Sequence, residues 1–236
     1  MNLYVSLRCE FSPKRQGFTL VELLATVAII GVLASLILTA TGNIRVAGNK
    51  AKCISNQRQI GLALHNYASE HRGEFPPTTH SSGSFRKDKS WIYELAPFIE
   101  NVDEVRICPA DPPKRQERIR KMNATSYSLN DLVFDDYQYN SFLKIPKPTK
   151  TLLLFIISED RTPSQTRDHI HGGQWNTWIE VLNDIEVDRH RMGGRASDRL
   201  SGSANYLYAD GHVENISASD FKANLDKSIN PAKVPE

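Results

Sequence analysis

An apolar run with a single charge near its start constrains this chain more than any other feature. Residues 18–40 read FTLVELLATVAIIGVLASLILTA, and Glu22 carries the only charge among them. A helix needs about 20 apolar residues to cross the hydrocarbon of a bilayer, so the run is long enough to span. Lys14 and Arg15 lie just before it. Positive flanks stay in the cytoplasm, so the bulk of the chain is expected on the far side. A removable secretory signal fits less well, because its apolar region is about 7–15 residues long and ends in Ala-x-Ala or similar. Here Leu38-Thr39-Ala40 stands in that place. A plain anchor leaves Glu22 unexplained. A carboxylate in the membrane costs about 2.5–3.5 kcal/mol and needs a partner.

The rest of the chain is polar. Mean hydropathy is −0.42 despite the apolar run, which implies a soluble domain on one hydrophobic segment. Of 236 residues, 40% are hydrophobic and 24% charged, an ordinary balance for a folded protein. The net charge of +2 resides in residues 1–17, where Arg8, Lys14 and Arg15 face Glu10. The remaining body is balanced, which argues against nucleic acid as a partner.

No proline falls between Pro13 and Pro76. Ile44, Ala47, Ala51, Ile54, Gly61 and Ala68 step by three, four or seven. Such spacing predicts that one helix continues to about residue 70, with this stripe packed on a head. Gly73 and Pro76-Pro77 end it. Beyond, residues 78–90 read as a loop, 91–99 as a short helix, 126–130 and 152–157 as strands, and 161–203 as loop-rich. Asp210-Gly211 between two alternating runs predicts a hairpin. Helix first and strands later implies an α+β fold with a C-terminal antiparallel sheet against the long helix.

Lys14-Arg15-Gln16-Gly17-Phe18-Thr19-Leu20-Val21-Glu22 resembles the type IV prepilin signature: basic leader, Gly, Phe, and Glu five residues after the cut. The resemblance implies cleavage between Gly17 and Phe18 by a prepilin peptidase, N-methylation of Phe18 and retention of the helix. It gives Glu22 a partner, the Phe18 ammonium of a neighbouring subunit; two buried charges that are costly alone compensate each other. The head resembles a bacterial pseudopilin-like family through Cys53, Gln59–Tyr67, the Trp91/Leu95/Pro97 block, Cys108-Pro109-Ala110-Asp111 and Asn205–His212. That family is described with a C-terminal His-x9-Asp-Gly motif. Here Leu200 stands where the motif's His would be, with nine residues between it and Asp210-Gly211, and His190 is the nearest upstream histidine, which implies an insertion of ten residues.

Several constellations have two readings. His190, Asp210 and His212 have the residue types of a metal site, and type II secretion pseudopilins bind calcium in this region by resemblance; otherwise no cofactor is expected. The plain reading makes Asp210-Gly211 a turn and His212 a strand residue. His169, His171, Trp175 and Trp178 suit a metal or carbohydrate contact, or a packed loop. The basic run at Lys114–Lys121 suits a solvated helix face or a subunit contact. Cys9 leaves with the leader, while Cys53 and Cys108 remain where disulfides persist. They form a bridge or two buried thiols.

The expected organisation is a leader at 1–17, a transmembrane and filament-core helix at 18–40, its amphipathic continuation at 41–72, and a periplasmic α+β head at 73–236. The expected function is that of a structural filament subunit of the type IV pilus or type II secretion pseudopilus kind, not an enzyme. Its partners would be copies of itself, other pilin-like subunits, the prepilin peptidase and methylase, and inner-membrane lipid. The alternative is a membrane-anchored periplasmic metal- or ligand-binding protein or enzyme centred on His190, Asp210 and His212.

Overall fold

The computed structural model describes residues 17–79, 91–134, 138–164 and 168–236. The leader to Gln16, with Cys9, Lys14 and Arg15, and most of the expected 78–90 loop lie outside them. The chain divides into two compact units, Met1–Gly42 and Asn43–Glu236.

Helix α1 runs over Leu20–Glu70, within the span expected from the proline-free stretch. It begins with a capping box in which Thr19 and Glu22 bond each other's backbone N–H, satisfying donors that a helix start leaves open. It ends as the Gly73 N–H donates to Ala68 O at 2.7 Å. Among the described residues, no helix is long and apolar enough to cross a membrane; the side chains described within the apolar run end at Leu36.

In the second unit, the buried face of α1 differs from the expected stripe. Ile44, Ala47 and Ala51 are exposed, and the face consists of Cys53, Asn56, Gln57, Ile60, Gly61, Ala63, Leu64, Tyr67 and Ala68. The expected stripe followed small residues. The observed one follows the larger apolar residues and admits two amides, because backbone carbonyls receive them. Asn56 Nδ2 donates to Ile107 O at 3.1 Å and Gln57 Nε2 to Asn205 O at 2.9 Å. Gly61 marks the closest approach. A Cβ there would meet Leu207 Cδ1 at 2.8 Å.

The remaining helices are short: α2 (Trp91–Glu94), α3 (Val102–Val105), α4 (Pro113–Lys121), α5 (Asp131–Phe134), α6 (Trp178–Asp184) and α7 (Ala218–Asp226). Five strands, β1 (Tyr127–Asn130), β2 (Leu152–Ile156), β3 (His169–Ile170), β4 (Ser203–Tyr208) and β5 (Val213–Ser217), form one sheet in the order β3-β1-β2-β4-β5. All pairs are antiparallel except β1 with β3, which is parallel. The fold is therefore α+β, with a parallel edge that the sequence reading missed. Strand β2 is buried along its whole length, as expected of an unbroken apolar run in a central strand. The β4–β5 hairpin forms where Asp210-Gly211 predicted it. Its loop is one residue longer than a two-residue turn: Tyr208 N–H bonds His212 O, Gly211 N–H bonds Tyr208 O, and Gly211 sits at φ +89°. That is the geometry of a three-residue hairpin loop with glycine in the left-handed position.

Candidate functional site

The N-terminal site comprises Gly17, Phe18 and the first turn of α1. Thr19 N–H and Thr19 Oγ1 both donate to Glu22 Oε2, at 2.9 and 2.8 Å. Glu22 thus has a partner within its own chain, a role the sequence reading missed although Thr19-Leu20-Val21-Glu22 spells the capping-box pattern. Around it, eleven large apolar side chains from Phe18 to Leu36 are 53–75% exposed. The hydroxyls in this run are satisfied internally, Thr26 donating to Leu23 O at 2.8 Å and Ser35 to Val32 O at 2.7 Å. A helix entering an apolar medium must bond its polar groups in this way.

In the head, Cys53 from α1, Cys108 after α3 and His190 before β4 converge. Their ligand-type atoms lie within 4.8 Å of one another and all three residues are buried. Both cysteines are free thiols. Tyr127 Oη lies 3.6 Å from Cys53 Sγ. Burial alone would raise the Cys53 thiol, yet the Cys108 and His190 side chains beside it hold it well below its ordinary value. Burial, with Cys53 as neighbour, pushes Cys108 well up.

Two thiols and an imidazole suggest a soft-metal site, but the hydrogen bonds of His190 oppose it. Asn205 Nδ2 approaches both Lys50 O at 3.2 Å and His190 Nε2 at 3.0 Å. A carbonyl can only accept, so this atom is the amide nitrogen and His190 Nε2 is an acceptor. Asn215 Nδ2 fixes the same orientation from the other side, donating to Ala204 O and to Asn205 Oδ1. With Nε2 accepting, the ring carries a proton on Nδ1. Neither nitrogen keeps a free lone pair for a metal.

The expected grouping of His190 with Asp210 and His212 is not assembled. His190 N–H bonds Ser203 O at the start of β4, while Asp210 and His212 are in the exposed loop at its far end. About 10 Å of strand, at 3.3 Å per residue, separates Asn205 from Tyr208 alone. Asp210 Oδ1 instead accepts from His212 N–H at 3.1 Å and contacts His212 Nδ1 at 2.5 Å. His190 therefore lies beside the start of β4, and residues 191–202 connect it to that strand. In the second cluster His169 and His171 meet edge-on, with ring centroids 5.1 Å apart, while each ring and each indole also has its own polar partner. His169 Nδ1 meets Asp168 at 3.0 Å, His171 Nδ1 meets Asp131 at 2.9 Å, and Trp175 and Trp178 donate to Asp184 and to Asp198 O.

Residues 186–199 contribute to a buried ion cluster. Arg189 pairs with Asp111 at 3.1 Å and with Glu159; Arg191 and Arg199 reach Glu186 and Asp188. Arg115, from the basic run, is buried against Asp111 at 3.5 Å. Sequence reasoning missed this buried ion cluster. The mixed signs of Glu186–Arg199 were the local signal, but Asp111 and Glu159 are remote in sequence.

Comparison with known proteins agrees with the N-terminal geometry. Residues 12–38 match the prokaryotic N-terminal methylation motif. Residues 43–105 match a family described as a protein of unknown function (DUF1559). Type II secretion system core protein G of Escherichia coli (strain K12) is 29% identical over 101 residues, covering 43% of this chain and 68% of that protein. No solved structure matches the chain. The chain is thus similar at its N-terminus to prokaryotic proteins that carry the methylation motif, and over 101 residues to a type II secretion core protein.

Proposed function

We propose that the chain is a structural filament subunit, cut after Gly17, N-methylated at Phe18 and anchored in the inner membrane through residues 18–40, with its head in the periplasm. The observation that carries this reading is the exposed apolar run from Phe18 to Leu36. A contiguous apolar surface of this kind needs lipid or another chain to cover it. Lipid covers it in the single subunit, and copies of itself or other pilin-like subunits cover it in the filament. In the filament Glu22 compensates the Phe18 ammonium of a neighbour. The chain is then the substrate of a peptidase and methylase and performs no chemistry itself. The methylation-motif match over residues 12–38 and the likeness to a type II secretion core protein support the same reading.

A cysteine placed at Ile30 tests it by cross-linking in membranes. Self-cross-linked dimers are expected from Ile30→Cys, and none from a cysteine at exposed Glu236. Failure of the Ile30 variant to cross-link to any pilin-like chain would overturn the filament role.

A further inference from the structure

We propose that Cys53 and Cys108 close to a disulfide in the mature protein, with His190 as the positioning residue beside them. Three segments far apart in sequence bring these groups together inside the core. A disulfide needs its sulfurs about 2.05 Å apart, so at most about 3 Å of approach separates the present thiols from a bond. Metal capture is the competing use of such a trio, and the proton on His190 Nδ1 opposes it. The oxidising compartment comes from the reading above, on which the proposal partly rests.

The step balances with a small-molecule or protein disulfide as oxidant. While the chain is still open, the Cys53 thiolate attacks one sulfur of the oxidant, forms a mixed disulfide and expels the other sulfur as a thiolate. The Cys108 thiolate then attacks Cys53 Sγ and expels the second. Two protein thiols are oxidised, and the oxidant leaves as two thiols carrying the two protons. The bond would join α1 to the loop that precedes α4. His190 acts on the reduced form, where its imidazole favours the Cys53 thiolate.

The full-length chain, alkylated at harvest and digested without reduction, decides the bridge by mass spectrometry without any variant. A linked peptide pair containing Cys53 and Cys108 is expected. Two alkylated cysteines would overturn the proposal. Zinc or copper at one ion per chain, measured on the undigested protein, would also overturn it, in favour of the metal site. The same digest reports the N-terminus independently. A bridge in a chain with an intact Met1 would support this proposal and contradict the filament reading, whereas methylated Phe18 with both cysteines alkylated would do the reverse. His190→Asn, equilibrated with glutathione, tests the positioning role. Loss of the imidazole removes stabilisation of the reduced form only, so the equilibrium constant for the bridge should rise about tenfold. An unchanged constant would remove His190 from the proposal.

Discussion

The two ends of α1 solve the same problem in opposite ways. From Phe18 to Leu36 the helix leaves its large apolar side chains exposed. From Cys53 to Ala68 it buries, wholly or in part, all of them but Leu62 within its own chain, with Ile60, Ala63 and Leu64 fully enclosed. The first half is thus incomplete as a monomer and the second is finished. Charge follows the same division. Glu22 is held by one local capping box, while Asp111, Glu186 and Asp188 of the head sit in a buried network of arginines.

The largest expected effect is on assembly. Glu22→Ala should insert in membranes at least as well as the wild type, since it removes a charge from the apolar run. Incorporation into filaments should be abolished, because the neighbour's ammonium loses its counter-charge. Co-purification with pilin-like partners measures it, and normal incorporation would make the carboxylate a helix cap alone. The head breaks differently. Arg189→Ala strips from buried Asp111 the nearer of its two arginines, leaving Arg115 at 3.5 Å, and should cost the head about 3–5 kcal/mol, read by urea unfolding. A loss below about 1 kcal/mol would show that water replaces the guanidinium. Packing gives a paired contrast. Leu64→Ala should cost about 2–5 kcal/mol by opening a cavity, whereas Leu33→Ala should leave head unfolding within about 0.5 kcal/mol. Equal losses would show that the two halves of α1 are not energetically distinct.

The smallest effect is a pH dependence. Burial would raise the Glu186 carboxyl, but Arg189, the Glu159 N–H and Arg199 hold it below its ordinary 4.5. The unfolded chain therefore binds this proton at a higher pH than the native one. The stabilisation is present above the unfolded value and is lost as pH falls through the lower native value. Asp111 acts in the opposite sense, since burial outweighs its arginines and raises it. Glu186→Gln should flatten the fall of the urea midpoint on the acid side, between about pH 5 and pH 3. An unchanged slope would assign acid sensitivity to other carboxylates.

Legibility in the sequence followed the range of the interactions. The long helix, the buried β2 strand and the β4–β5 hairpin were readable because each is written locally: a proline-free stretch, an unbroken apolar run and Asp210-Gly211 between alternating runs. The processing signature was readable for the same reason. The stripe on α1 was misplaced because Asn56 and Gln57 look solvent-facing until the carbonyls of Ile107 and Asn205 are known to receive them. Strand β3 is two residues long and pairs in parallel, too little pattern to detect. His190 was recognised as significant but grouped with the wrong partners. Its neighbours Cys53 and Cys108 are set by tertiary packing, while Asp210 and His212 are only near it in sequence.

The central claim is that residues 18–40 are a retained stem exposed by cutting after Gly17. Mass spectrometry of the mature N-terminus in the membrane fraction tests it most directly. Methylated Phe18 is expected as the first residue, and replacement of Gly17 by a larger residue should leave the leader attached. An intact Met1 terminus on the wild-type chain, or a terminus beyond residue 40, would contradict it.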